Sequence, residues 1–391
     1  MYSYAVGITL NILELVLFIT GAYYTVVALF SLFPMKRVPE EAVSCRFAVV
    51  VPAHNEANVL PSLLGSIRAA DYPRELISVY VVADGCSDNT AHMARQMGAV
   101  VLEKPTASCK GDALCYAFDY LKTREFDCVA VFDADNIVDK GFFREITEHI
   151  SLGEKAVQGY IDSKNPNASW VANAHSVWYW LTNRIMQAGR GGLNLGCRIG
   201  GTGFVLTKEV LDSVPWQTET IAEDAEYTCA LSLHGIKVGY ATRAVVFDEK
   251  PVGFAQSVLQ RKRWAQGIRD VQGEYTPRLL MRGRLNAVLG LWGDFLYPFT
   301  FVLLLLAAIL GTGGIFSTTA GKSVVWFYIA ANIIIAVAAL IIDRKINFKT
   351  VLNTFGFVLY IISWLPVGFF GIISRDSRLW YHTKHGNENQ K

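Results

Sequence analysis

Apolar positions are spread unevenly along this chain. From Ala5 to Phe33 the single charged residue is Glu14, and from Leu285 to Ile342 only Asp294 and Lys322 interrupt the apolar run. Between Cys45 and Arg269 polar and charged residues return to ordinary density. Runs this long cross about 30 Å of hydrocarbon as helices. The predicted organisation is an N-terminal anchor (1–35), a polar α/β domain (45–255), amphipathic helices (256–284), a membrane region (285–373) and a tail (374–391).

No basic stretch precedes the first apolar run and no A-x-A site follows it, so it reads as an anchor rather than a cleaved signal. Lys36 and Arg37 follow directly, which places the polar domain in the cytosol of a multi-pass membrane protein. Beyond residue 285 three segments are long enough to span: Leu289–Gly311, Val324–Ile342 and Val351–Ile373. Gly311–Ser323 is expected outside and Asp343–Thr350, with Arg344, Lys345 and Lys349, inside. A full third crossing would export Arg375, Arg378 and Lys384; a re-entrant or interfacial segment around Pro366 is the alternative. Ahead of this region Arg261, Lys262, Arg263, Arg269, Arg278, Arg282 and Arg284 interleave with Leu259, Trp264, Ile268, Leu279 and Leu280, as expected of helices lying on the inner leaflet.

The polar domain alternates βαβα. The β-branched run Phe47–Val51 predicts a strand buried on both faces, ended by Pro52. A second strand ends at Asp84-Gly85 and a third at Asp133–Asn136, with helices over Asn58–Ala70 and Thr90–Met97 between them. This predicts a mostly parallel sheet with helices on both faces, inserted between membrane helices. Ligands of such sheets sit beyond the carboxyl ends of the strands, where His54, Asn55, Glu56, Asp84, Asp133 and Asp135 all fall. His54 reads as a packing residue at a strand end.

The remaining composition removes alternatives. The 391 residues are 52% hydrophobic and 18% charged, against about 25% charged in soluble domains, so disorder and a wholly soluble enzyme fit poorly. A net charge of +2 gives no basis for a nucleic-acid partner. The seven cysteines contain no C-x-x-C pair and fit reduced thiols of a cytosolic domain. The first strand is followed by PAHNEA, not G-x-G-x-x-G, and no P-loop is present. Asp133-Ala-Asp135 at a strand end can share one hard divalent cation, Mg²⁺ or Mn²⁺, completed by phosphate oxygens.

In order, PAHNEA, VADGCSDNT, KGDAL, FDADN, GGTGF, AEDAEY and QRKRW run from Val50 to Trp264. The series resembles the membrane-bound family 2 glycosyltransferases, which include cellulose, hyaluronan and poly-N-acetylglucosamine synthases. The resemblance implies a GT-A nucleotide-sugar-binding fold. It implies that Asp84 holds the uracil or ribose of a UDP-sugar, beside Pro52, Ala53, Asn55 and Glu56, with Lys110 on the nucleotide side. Asp133 and Asp135 would bind the diphosphate through the metal, Asp135 more directly. Asp224 would be the general base of an inverting displacement. Gly201, Thr202 and Gly203 would line the acceptor side, and Gln260, Arg263 and Trp264 match Q-x-x-R-W. Glu223 and Glu226 share one face of a helix start whose default is solvation; Glu223, beside the base, joins the substrate-binding set. Trp380, Thr383 and His385 resemble a W-x-x-T-x-[RH] element that returns to the nucleotide.

The function implied is transfer from a UDP-sugar onto a membrane-associated acceptor, with processive extension of a β-linked polysaccharide first and single transfer to a lipid second. No F-x-V-T-x-K sequence follows Trp264, which weakens a cellulose assignment. One membrane helix before the domain and three after it are few for a polymer channel, so a small partner subunit or a homo-oligomer would complete one. A non-catalytic membrane scaffold is the third reading, opposed by the intact carboxylate set.

Overall fold

The computed structural model describes residues 2–33, 44–310 and 314–373. Lys36 and Arg37, and the whole tail with Arg375, Arg378, Trp380, Thr383, Lys384 and His385, lie outside them.

Eight strands form one sheet: β1 Phe47–Ala53, β2 Ile77–Asp84, β3 Val100–Lys104, β4 Cys128–Val131, β5 Ile137–Val138, β6 Ala156–Ser163, β7 Phe204–Thr207 and β8 Val238–Asp248. Their order is β3-β2-β1-β4-β7-β6-β8-β5. Four of the seven pairings are parallel, and β4/β7, β6/β7 and β5/β8 are antiparallel, so the sheet is mixed. The strand ending in the Asp133–Asp135 motif is the fourth, because Val100–Lys104, short and half charged, carries little apolar signal.

Strand β1 shows why its run is continuously apolar. Ala48 and Val50 enter a core with Leu114, Ala117 and Phe118 of the helix Lys110–Leu121. Phe47, Val49 and Val51 enter the opposite core with Leu60, Leu63, Phe142 and Phe143. Helices therefore cover both faces, leaving no polar side to alternate with. The strand continues one residue past Pro52. Its pairing to β4 stops at Val50, so the missing N–H of Pro52 costs no bond on that side.

Three helices are long and apolar enough to cross a membrane among the described residues: Ile8–Phe30, Thr319–Ile342 and Thr354–Gly371. Leu285–Leu310 forms a further helix of 26 residues. Glu14 is buried and accepts the Phe316 backbone N–H at 3.0 Å, which joins the anchor helix to the turn before Thr319–Ile342. The Asp343–Thr350 connection is clasped to the catalytic domain: Arg184 pairs with Asp343, and Lys345 reaches Asp162 at 2.5 Å.

The amphipathic region departs from expectation. It is one helix, Phe254–Met281, and Ile268 and Leu279 do not face a leaflet. They pack with Val271 and Tyr275 against Ala225 and Cys229 of the helix Glu223–Leu233. Arg261 is 0% exposed. Part of the stripe that resembled a membrane-facing surface is a face that docks on the domain, while Leu259 and Leu280 stay exposed, because a dry protein wall and a bilayer select the same apolar periodicity. The helix Thr354–Ile373 runs unbroken through Pro366 and lies along Phe254–Met281, with Gly371 close against Ala265.

Candidate active site

Beyond the ends of β1 and β4 lies a cleft of ≈ 320 Å³. Asp133 follows β4 by two residues, and the loop it opens is tied from several sides. The Asp133 N–H donates to Asn136 Oδ1 at 3.2 Å and to Thr202 Oγ1 at 3.1 Å. Asn136 donates in turn to Asp135 and to Asp248, each at 3.1 Å. Buried Gln158 holds the facing loop, accepting Gly200 N–H at 2.8 Å and donating to the Thr202 carbonyl at 2.9 Å.

Lys110 begins a helix and points across the cleft. Its ammonium pairs with Asp133, donates to the Gly201 carbonyl at 3.0 Å and lies 4.0 Å from Glu223. Burial alone would favour the neutral amine. The charges of Asp133 and Glu223 overcome it, and the pKa of Lys110 ends above its ordinary value. Gly201 has φ +82° and faces this cluster; a Cβ there would sit 3.6 Å from Asp224 Oδ2 and 3.8 Å from Lys110 Nζ. A side chain would occupy the gap between Asp224 and Lys110.

Glu223 and Asp224 open the helix Glu223–Leu233 and both line the cleft. The expectation of a solvated helix start fails here. Burial, opposed by Lys110 and reinforced by Asp224, pushes the Glu223 carboxyl up to about 7. Glu226 is buried on the other side and accepts the backbone N–H groups of Glu219 and Thr220. From the long helix, Gln260, Arg263 and Trp264 complete the wall. Burial lowers the pKa of Arg263, while Glu223, Asp133 and Asp224 act to hold its charge.

Of the residues expected from sequence, Pro52, Glu56, Lys110, Asp133, Asp135, Gly201, Thr202, Glu223, Asp224, Gln260, Arg263 and Trp264 converge on the cleft. Ala53, Asn55, Asp84 and Gly203 stand outside its lining. Asp84 is 1% exposed, and its carboxylate is taken by Lys104 at 3.0 Å and the Ser108 N–H at 3.0 Å. It braces the loop leading to Lys110. Asn55 (φ 57°) accepts the Ser87 N–H at 2.8 Å and the Asp88 N–H at 3.3 Å, fastening the ends of β1 and β2. Gly203 continues the sheet, donating to the Val131 carbonyl at 2.9 Å. His54 packs as expected, with Nδ1 2.6 Å from the Asp84 carbonyl.

Sequence reasoning missed Trp178, Tyr179, Arg198, Asp248, Glu249 and Trp364, which also line the cleft. Asp248 could have been found, since it too ends a strand. Trp364 could not: it lies in an apolar segment read as membrane-bound. Its ring is 5.9 Å from that of Trp178. Asp133 and Asp135 offer carboxylate oxygens, with the Lys110 ammonium paired to Asp133, and among the described residues no three His, Cys, Asp or Glu side chains are placed to hold a metal ion by themselves. That set suits a hard cation held by one or two carboxylates and by ligand oxygens.

Residues 45–267, more than half of the chain, match the family model described as "Glycosyltransferase like family 2". The chain belongs to this family. It is a glycosyltransferase with a GT-A-like sheet. The beta-monoglucosyldiacylglycerol synthase of Synechocystis sp. is 27% identical over 256 residues, 60% of this chain and 52% of that one. The poly-beta-1,6-N-acetyl-D-glucosamine synthase of Staphylococcus aureus is 25% identical over 230 residues, 57% of this chain and 54% of that one. The match thus spans little more than half the length of these two family 2 relatives. In fold, the mannosyltransferase PcManGT from Pyrobaculum calidifontis, solved in complex with GDP-Man and Mn²⁺, aligns with a TM-score of 0.58 at 17% identity, covering 93% of this chain and 98% of that one.

Proposed function

We propose that the chain is an inverting glycosyltransferase that takes its sugar from a UDP-sugar in the cytosol and transfers it to a hydroxyl of a membrane-held acceptor. The observation that carries this reading is the make-up of the cleft. Carboxylates at the strand ends, the Asp224 carboxylate and the Arg263 fork meet there with Trp364, which a helix long enough to cross a membrane contributes.

Asp133 and Asp135 would hold Mg²⁺ or Mn²⁺ against the donor diphosphate. The bound cation would supply Lewis-acid neutralisation of charge on the departing nucleotide. Arg263 presents a planar fork to the same diphosphate, and Lys110 keeps the cleft loops and Asp133 in register. Asp224 takes the proton of the acceptor hydroxyl as its oxygen bonds to the anomeric carbon. The bond from that carbon to the diphosphate oxygen breaks, UDP leaves, and the configuration inverts.

The acceptor is a growing β-linked polysaccharide. Trp178, Tyr179, Trp264 and Trp364 line one wall, and aromatic faces suit the C–H faces of pyranose rings. A single sugar on a lipid is the second reading, favoured by the similar identity of the relative named for glycolipid synthesis. Incubating the purified full-length chain with labelled UDP-sugars and Mg²⁺ or Mn²⁺, then sizing the products, tests both. A high-mass ladder supports the first and one lipid-bound sugar the second; no transfer from any UDP-sugar overturns the proposal.

A further inference from the structure

A second cavity, of ≈ 180 Å³, adjoins the catalytic cleft. The helix Glu223–Leu233 runs between the two, and Thr182, Gln187 and Arg198 line both. Glu223 and Asp224 face the cleft, whereas Ala225, Thr228, Cys229 and Ser232 face the second cavity. The opposite wall is the start of the helix Leu285–Leu310, through Asn286, Ala287, Gly290 and Leu291.

The two cavities carry opposite charge. The cleft collects Glu56, Asp133, Asp135, Glu223, Asp224, Asp248 and Glu249. These seven carboxylates outnumber the cleft's cations Lys110, Arg198 and Arg263, whereas the second cavity, which shares Arg198, adds Arg190, Lys237 and Arg284, and no Asp or Glu lines it among the described residues. Cations gathered without carboxylates select an anion. Arg190 is committed to the wall itself, donating to the Gly196 carbonyl at 2.9 Å and the Asn286 carbonyl at 2.8 Å. Lys237, which donates to the Asn194 carbonyl at 2.9 Å, and Arg284 are exposed at the rim.

The surroundings identify the source of that anion. Arg284 immediately precedes the long apolar helix, and Leu280, Met281 and Leu285 beside it are 52%, 79% and 57% exposed. Exposed apolar side chains flanked by Arg282 and Arg284 are what a headgroup layer accommodates.

We propose that this cavity binds the phosphate of an anionic membrane lipid, with Lys237 and Arg284 as its ligands. This lipid is not the sugar acceptor: Asp224 lines the cleft and not this cavity. It steadies that helix. Thr228 lines the cavity, donates to the Asp224 carbonyl at 2.7 Å and accepts the Ile199 N–H at 3.0 Å, so a filled cavity holds the base and the loop leading to Gly201 together.

The test is lipid retention by the full-length chain in neutral detergent, read by native mass spectrometry. Phosphatidylglycerol and phosphatidylcholine are offered in equal amounts, without donor or acceptor, so failure here is distinct from failure of the proposed transfer reaction. Two cations near an anionic headgroup support a preference of roughly tenfold for phosphatidylglycerol. The K237A/R284A chain should lose that preference, and the K237R/R284K chain should keep it. Equal retention of the two lipids, or unchanged preference in K237A/R284A, overturns the proposal. Displacement of phosphatidylglycerol by millimolar inorganic phosphate would assign the cavity to free phosphate and overturn the lipid assignment.

Discussion

The catalytic cleft and the seam beside it each hold an arginine of the same QRKRW stretch in dry surroundings, and they neutralise it in opposite ways. In the cleft, Arg263 and Lys110 answer the carboxylates of Asp133, Glu223 and Asp224. In the seam, Arg261 donates to the Tyr360 carbonyl at 3.2 Å and to Ser363 Oγ at 2.8 Å. It lies over the rings of Tyr360 and Trp364, 4.4 and 5.4 Å from their centroids. Charges opposed by charges can be handed to a ligand that brings its own anion or cation. A charge met by two carbonyls, a hydroxyl and ring faces has no counter-ion to hand over. The first arrangement suits the proposed chemistry; the second fastens the helix Thr354–Ile373 to the wall of the cleft.

Substitutions can break this contrast. The largest effect is expected from Asp224→Asn, which should lower transfer about 10²–10⁴-fold, the usual contribution of a general base. Nucleotide binding measured by calorimetry should be unchanged; near-full transfer would move the base role elsewhere. Asp135→Asn should cost cation-dependent nucleotide affinity by at least the roughly 10–100-fold lost when outer partners of a metal site are removed. UDP titrations with Mg²⁺ and with a chelator measure it, and equal affinity under both conditions would exclude a cation at this motif.

The two arginines should then separate by assay. Arg261→Met removes the guanidinium's bonds to the Tyr360 carbonyl and the Ser363 hydroxyl and should cost about 1–3 kcal/mol of stability, seen as a lower melting temperature. Arg263→Met should melt near the parent and instead weaken donor binding. If both behave alike, the distinction between chemistry and fastening is wrong. The smallest effect belongs to Trp364→Ala. Loss of one aromatic contact is worth about 0.5–1.5 kcal/mol, and should raise acceptor KM by up to roughly tenfold while donor affinity holds.

How much was legible in the sequence follows from the range of each signal. Asp133, Asp135, Lys110, Asp224, Arg263 and Trp264 were found, because each sits in a short motif at the end or start of an element. Asp84 and Asn55 were found as motif residues, yet they brace loops outside the cleft lining. A carboxylate at a strand end can face a ligand or a neighbouring N–H, and the motif is the same in both cases. Trp178 and Trp364 meet only because the helix Thr354–Ile373 lies down on the catalytic domain, a contact between positions far apart in the chain.

The sequence by itself determined the apolar–polar–apolar order, the sheet with polar residues at its strand ends, and most of the side chains that converge on the cleft. Those depend on local composition, periodicity and spacing. The tertiary structure alone decided which side of each amphipathic helix is dry, and against what. Apolar periodicity marks the face that leaves water without naming its partner. Packing made Ile268 and Leu279 a docking surface rather than a lipid-facing one, buried Arg261 instead of exposing it, and set an acidic cleft and a basic cavity on opposite sides of one short helix.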